Sequence, residues 1–358
     1  MTALIPNIAY FAPDVLDREI DHLFSSGWEF VGLADELAND RDFVTIEYRN
    51  TSIVVQNFKG ELKSFQNICT HRFNQLQTAE RGNRPLVCSY HGWRFNERGC
   101  PIGVASRIVN DAADDDLCLT RYRVESCGQF VFVTRNDGPA TLRDYLGRFY
   151  EVLESLSSGM GEVTHHDTVP HQANWKILVE NVIDNSHCPV LHNETFVAFG
   201  FCRKPVEETV IDGPHSSWHV PRVEIAREGL RRRALAHLDA RHYRHDSFFH
   251  IHIFPNLFVA STEGASFYIG HALPTGAEQT MLRVRYLAPA LELDDRHRTK
   301  QSLLNDQTKA SGLRIVEEDR PILERIQRGV RLSTKPGALL DNEPRIASFM
   351  QVYDTAMA

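Results

Sequence analysis

Two stretches of this chain bring together residue types that bind metals. The first is Cys69-Thr-His71 followed by Cys88-Ser-Tyr-His91-Gly-Trp93. Each of its two knuckles supplies one thiolate and one imidazole. Two soft sulfur ligands and two borderline nitrogen ligands suit either tetrahedral zinc or a [2Fe–2S] centre with mixed ligation. Structural zinc sites more often pair Cys with Cys and His with His, so the mixed knuckles favour iron–sulfur. The second stretch runs from Asn174 to His192. Asn181, Asp184 and His187 recur at three-residue spacing, which places them on one helical face. Pro189 removes a backbone donor and is expected to end or kink the helix. Beyond the kink, His187 and His192 can converge on one metal ion, with Asp184 holding an imidazole. The bland alternative is two helix-end histidines capping carbonyls beside a buried aspartate. Two histidines and one carboxylate on one face of Fe(II) would leave positions open for O2 and substrate. The carboxylate must then come from elsewhere in the chain.

The elements that position these residues follow from periodicity. Asp14 to Phe24 carries Val15, Ile20, Leu23 and Phe24 on a helical stripe. From Phe43 the period changes to that of strands, with Phe43 to Tyr48, Ser52 to Phe58 and, after the Lys59-Gly60 turn, Glu61 to Asn67. Short strands continue through Gly128 to Thr134, and the acidic run Asp111 to Asp116 reads as a solvated loop. Thr141 to Ser157 reads as a helix stopped by Ser158-Gly-Met-Gly, and the Asn174 helix comes next. Strands are then expected at Glu207 to Ile211, Ser216 to Val220, Phe248 to Phe254, Leu257 to Ser261, Ser266 to Ala272 and Thr280 to Leu287. Helices close the chain at Asp294 to Lys309, Arg314 to Arg328 and Glu343 to Met357. The fold class is α+β. A small all-β module at residues 41–140 is inserted between an N-terminal helix in residues 1–40 and a larger α+β domain at 141–358, with an antiparallel sheet and C-terminal helices.

The chain has 358 residues, 42% apolar and 24% charged, which is ordinary for a soluble globular protein. A net charge of -8 argues against nucleic-acid binding. The N-terminus lacks a basic region followed by an apolar core, and no apolar run approaches membrane-spanning length, so a cytoplasmic protein is expected. Seven cysteines do not suggest a disulfide framework. Cys100, Cys118, Cys127 and Cys202 read as core thiols.

The two knuckles, together with the Asn174–His192 stretch, resemble the oxygenase (α) subunits of Rieske non-haem iron oxygenases, and the resemblance covers nearly the whole chain. It implies that Cys69 and Cys88 bind one iron of the cluster and His71 and His91 the other, with Trp93 as an aromatic shield. It also implies a mononuclear Fe(II) held by His187, His192 and a carboxylate from Ile315-Val-Glu-Glu-Asp319. Asp319 is the expected ligand, with Glu318 and Glu317 as alternatives one or two residues away. On its own this acidic run would read as a solvated helix N-terminus. By the same resemblance, Asp184 bridges His187 to His91 of the partner subunit in a ring-shaped homotrimer, and Asn181 matches a position near the iron. One departure stands out, since Phe73 and Asn74 follow Arg72 where the family has a glycine. No Gly-rich dinucleotide fingerprint is seen, so electrons from NADH or NADPH are expected through a separate reductase, with or without a ferredoxin. The implied activity is hydroxylation, dihydroxylation or oxidative demethylation of a small, aromatic organic molecule. The rivals are a Rieske electron carrier without oxygenase activity and a zinc-stabilised binding protein.

Pocket candidates are Val182, Phe196, Phe199, His250, His252, Phe267 and Tyr268. His250 and His252 share a strand face, which leaves a second metal site open beside a plain pocket role. Arg231-Arg232-Arg233 lies in an Arg- and His-rich run, readable as a solvated helix face or as a docking patch for an acidic electron-transfer partner.

Overall fold

The computed structural model describes residues 4–49, 51–104, 113–203, 206, 208–226 and 228–358. The chain forms two compact units, one of Phe24–Tyr145 and one of Met1–Leu23 with Leu146–Ala358.

The first unit is built on a seven-stranded antiparallel sheet. Its order is Glu29–Leu33, Phe130–Thr134, Arg121–Cys127, Glu61–Gln66, Thr51–Phe58, Asp42–Tyr48 and Arg81–Asn83. β-Branched and aromatic residues dominate the inner strands, and the Val44↔Val55 and Ile46↔Ile53 pairs set the register. Lys59 and Gly60 both adopt positive φ, the two-residue turn that matches strand twist in a hairpin. The unit begins before residue 41 because Glu29–Leu33, which was not foreseen as a strand, pairs with Phe130–Thr134.

The second unit carries another seven-stranded antiparallel sheet. Its order is Met160–His171, Gln279–Pro289, Ser266–Gly276, Leu257–Thr262, Ser247–Ile253, His215–Pro221 and Glu208–Asp212. Six of these strands lie where the sequence places them. Met160–His171 was not anticipated, since it is mostly half-buried and shows no apolar alternation to mark it. Glu207, expected to open a strand, lies outside the described residues, as do Asp111 and Ala112 of the acidic run. The rest of that run includes a short 3-10 turn at Asp114–Leu117.

Three local expectations need correction. The two helices foreseen between Asp294 and Arg328 are one continuous helix, Asp295–Leu332. Gly312 does not stop it. A Cβ there would meet the Tyr286 ring at 2.5 Å, so the glycine lets the helix lie directly on the sheet. Second, the Asn174 helix spans Trp175–Ile183, capped by the Asn174 side chain on the Lys176 N–H. It ends at extended Asp184, five residues before Pro189. Pro189 instead opens a second short helix, Cys188–Leu191, where a missing N–H costs nothing. His187 therefore does not share the helical face of Asn181. Third, four cysteines form disulfides, Cys100–Cys118 and Cys188–Cys202. Cys100, Cys118 and Cys202 are thus not core thiols, while Cys127 is a buried thiol. The Leu119 N–H to Gly99 carbonyl bond brings the first pair together. No spacing in the sequence signals these pairings. Among the described residues no helix is long and apolar enough to cross a membrane.

Candidate metal centres

In the first unit the two knuckles follow one backbone plan. The Cys69 N–H donates to the Asn74 carbonyl and the Phe73 N–H to the Cys69 carbonyl, at 2.9 Å each. Four residues into the second knuckle the pattern repeats, with Cys88 N–H to Trp93 carbonyl at 2.8 Å and Gly92 N–H to Cys88 carbonyl at 3.0 Å. Phe73 and Gly92 occupy equivalent places and both have positive φ, 59° and 73°. The departure from the family's glycine therefore changes the residue and keeps the conformation, at a cost of about 1–2 kcal/mol for a residue with a Cβ. The Phe73 side chain points to solvent at 80% exposure.

Cys69 and Cys88 are buried at 1% and 2% exposure, whereas His71 and His91 are exposed. The imidazole rings stand edge to face, 4.7 Å apart, and the Trp93 ring stacks on His71 at 4.8 Å. Burial pushes the Cys69 thiol up. Burial pushes Cys88 the same way, but the backbone N–H groups of Tyr90 and His91, with the Cys69 thiol and the Asn74 amide, together outweigh it and hold the thiol below its ordinary value. The Asn74 amide donor lies 3.6 Å from Cys88 Sγ. Two buried sulfurs served by N–H donors and two exposed imidazoles fit a [2Fe–2S] cluster with mixed ligation.

In the second unit, the histidines flank the short helix Cys188–Leu191, His187 at its N-terminal cap and His192 at its C-terminal cap. His187 Nε2 and His192 Nε2 lie 3.2 Å apart, and Asp319 Oδ1, from the long helix, lies 3.3 Å from His192 Nε2 and 3.8 Å from His187 Nε2. The other ring nitrogens are engaged by carboxylates. His187 Nδ1 is 3.0 Å from Asp184 Oδ2, and His192 Nδ1 is 2.8 Å from Glu318 Oε2. Neutral imidazoles donating from Nδ1 present lone pairs at Nε2. Three acceptors then meet with no hydrogen between them, and Asp319 Oδ1 is buried without a hydrogen bond. That arrangement fits a cation at their common focus.

Successive residues on a helix point about 100° apart, so one of three consecutive acids can face the histidines. Glu317 turns outward to pair with Arg320. Glu318 reaches behind His192, where it also accepts the Thr195 hydroxyl at 2.8 Å. Burial lowers the His192 pKa, but Asp319 and Glu318 outweigh it and hold the ring above its ordinary value. Asp184 is fixed by the N–H groups of Ser186 and His187, and these bonds together with the His187 ring outweigh its burial and keep it ionised. Asn181 contributes its carbonyl to the Asp184 N–H, and no hydrogen bond joins its side chain to the ligands among the described residues.

Of the pocket candidates, Phe196 stands edge-on to His192 at 5.5 Å and packs on Phe248 at 4.8 Å. Tyr268 is half-buried and packs on Tyr286 at 5.5 Å, and burial, then Tyr286 and Asp319, raise its pKa well above the ordinary value. Phe267, its neighbour in the strand, faces the other side and packs on Tyr243. Val182 is half-buried, and Phe199 is 42% exposed. His250 and His252 share a face but form no second metal site among the described residues, where Arg345 occupies His250 Nδ1 and the Pro255 carbonyl occupies His252 Nε2. Arg231 pairs with Glu228 and Glu263, and Arg232 with Glu224, which offsets most of the charge that a docking patch would need and favours the reading as a helix face. Sequence reasoning missed the positioning contact of Glu318. It also missed His171, a buried histidine with neither ring nitrogen bonded, pushed down to about 4 by burial and by Arg320. His171 lies on the strand without apolar periodicity and carried no signal.

Residues 27–107 match the Rieske [2Fe-2S] domain, and residues 160–358 match the catalytic domain of the ring hydroxylating alpha subunit. The chain is 25% identical over 338 residues to the chloroplastic choline monooxygenase of Beta vulgaris, covering 91% of this chain and 70% of that protein. It is 29% identical over 192 residues to the glycine betaine monooxygenase oxygenase subunit of Chromohalobacter salexigens, spanning 53% of this chain and 43% of the relative. Among solved structures, the quaternary ammonium Rieske monooxygenase CntA with L-carnitine superposes at a TM-score of 0.78, with 19% identity and 99% and 96% of the two chains covered. Naphthalene 1,2-dioxygenase with indole superposes at 0.79, with 18% identity and 99% and 92% covered.

Proposed function

Since the chain belongs to the Rieske-type ring-hydroxylating oxygenases, we propose that it is a terminal oxygenase whose mononuclear iron is held by His187, His192 and Asp319. The observation that carries this reading is the meeting of three acceptor atoms at 3.2–3.8 Å, each histidine braced from behind by its own carboxylate. A family member serving only as an electron carrier would have no use for that set.

Cys69, His71, Cys88 and His91 would hold the cluster, with the Trp93 ring stacked on one face of His71. The metals supply electron storage and O2 activation when bound. The chain's own part is positional. Asp184 and Glu318 fix the tautomers and aim both Nε2 lone pairs at one point. Phe196 packs on His192, and Phe248 and Trp218 extend from it as a run of aromatic rings that would give the substrate an apolar wall. Electrons would come from NADH or NADPH through a reductase, with or without a ferredoxin. Asp184 would connect the centres of neighbouring subunits in a homotrimer, as inter-subunit electron transfer is described for the carnitine-oxidising neighbour.

The aromatic-substrate expectation gains no support from the sequence relatives, which are named for choline, glycine betaine and carnitine. The reading adopted is oxygenation of a small molecule bearing a quaternary or methylated amine, which the aromatic wall would hold through cation–π attraction. Electron paramagnetic resonance of the dithionite-reduced protein, with iron, zinc and labile sulfide counted on the same sample, tests the centres. A Rieske-type signal with a third iron per chain is expected. Zinc without sulfide would overturn the assignment, and a cluster with no third iron after Fe(II) is added back would leave the carrier. Coupled O2 consumption with methylammonium and aromatic compounds then separates the two substrate classes.

A further inference from the structure

Arg345 is the second residue of the helix Pro344–Met357, and it is 4% exposed. Its guanidinium donates to the Ser216 hydroxyl at 2.9 Å and to the Ser216 carbonyl at 3.3 Å. Nη2 also donates to His250 Nδ1 at 3.2 Å. Nη1 has no partner. No carboxylate among the described residues pairs with it, and burial alone drives its pKa well below the ordinary range. The charge also sits at the positive end of a helix dipole, where a cation is disfavoured. A buried cation without a counter-charge is costly, so its persistence calls for a ligand.

The neighbouring groups are of the same kind. Because His250 Nδ1 accepts from Arg345, the proton of this buried neutral ring lies on Nε2, and that N–H has no acceptor. Trp218 pairs with His250 across the strands, stacks on it at 5.5 Å and lies 5.7 Å from the Arg345 guanidinium carbon. Its indole N–H is likewise buried and unbonded. One cluster therefore holds three orphan donors, one fixed positive charge and no orphan acceptor.

Position ties the cluster to the iron site. Trp218 packs on Phe248 at 5.7 Å, Phe248 on Phe196 at 4.8 Å, and Phe196 on the ligand His192 at 5.5 Å. We infer that Arg345, His250 and Trp218 form an anion subsite of the substrate pocket, and that the substrate carries a carboxylate which they bind while its body lies along the aromatic wall toward His192. This inference rests on the oxygenase reading above and narrows its substrate class to carboxylates, zwitterions included.

The test is calorimetric binding to metal-loaded protein with matched probes: benzoate with benzamide, phenylacetate with phenylacetamide, and glycine betaine with its amide. Formate serves as the carboxylate with no body. At least one carboxylate is expected to bind about tenfold or more tightly than its amide, charged hydrogen bonds being the stronger ones. In Arg345→Gln that preference should vanish, with the amide held within about threefold and the carboxylate weakened about 30-fold or more. A wild type that prefers no carboxylate overturns the subsite. So does formate binding as tightly as the larger acids, which would assign the cluster to a resident small anion. Arg345→Met guards against misfolding, since it fills the space without charge. The melting temperature of its ligand-free form should equal or exceed that of wild type, because an unpaired buried charge is removed. A marked fall would make Arg345 a structural brace and end the proposal. Iron and sulfide counts on the same samples keep the two readings apart. Loss of the third iron sinks the oxygenase reading, whereas anion indifference in fully metallated protein sinks only the subsite.

Discussion

Glu318 Oε2 lies 2.8 Å from His192 Nδ1, matching on the second histidine what Asp184 Oδ2 does at 3.0 Å on His187. The two carboxylates differ in origin. Asp184 sits three residues from its histidine, whereas Glu318 arrives from the long C-terminal helix beside the expected ligand Asp319. Glu318→Gln retains the side chain's size but weakens its grip on the Nδ1 proton. Iron affinity is expected to fall about 10–100-fold, the usual cost of losing a partner behind a metal-bound histidine. The cluster spectrum should be untouched. Asp319→Ala should bind no mononuclear iron at all, so equal iron affinities for the two variants would refute the division of roles.

Asp184→Asn separates positioning from turnover. The Ser186 N–H, which bonds Oδ1, can still anchor the amide oxygen, so both metals should remain in protein saturated with Fe(II). The charge that steadies His187, and that the proposed link between subunits uses, is gone. Turnover is expected to fall by about two orders of magnitude or more with iron content unchanged. Wild-type turnover in this variant would remove the bridging role.

Asn74 gives the cluster region a side-chain donor. Its amide lies 3.6 Å from Cys88 Sγ, and hydrogen bonds to cluster sulfurs stabilise the reduced state. Asn74→Ala should lower the reduction potential by about 40 mV, the one-electron equivalent of roughly 1 kcal/mol. Redox titration followed by electron paramagnetic resonance reads this directly. An unchanged potential would show that the backbone donors alone set it.

What the sequence made legible was local. The knuckles needed only spacing and ligand type, and six strands of the second sheet carried periodicity strong enough to survive tertiary context. Where a residue's role depended on another element, the reading failed or stopped. Asp319, Glu318 and Glu317 differ only in which way a helix turns them, and no pattern in one sequence fixes that phase against a distant histidine. Pro189 was read as a terminator because its missing N–H suits a helix start as well as it forbids a helix interior. The Cys188–Cys202 pair is made by the fold of the intervening turns, and Met160–His171 is a strand mainly because Gln279–Pro289 supplies its partner. Arg345 was invisible for the same reason, since its lack of a counter-charge is a property of the packed structure.

Glu180 offers a test of the pH response of the helix that carries Asn181. Burial raises its pKa to about 7, against the opposing pull of Tyr10, whose hydroxyl donates to it at 2.6 Å, and of Lys176. The native state therefore holds this proton more tightly than the unfolded chain, where the group titrates near its ordinary value of 4.5. Between those two values folding takes up a proton, so stability is greatest below about 4.5 and declines as pH rises through about 7. Other groups add slopes of their own, and the difference between wild type and variant isolates this one. Glu180→Gln keeps an acceptor for Tyr10 but cannot ionise. Its melting temperature relative to wild type should therefore climb between pH 5 and about pH 7.5 and then level off. A difference that stays flat across that window would place the Glu180 pKa in the ordinary carboxylate range.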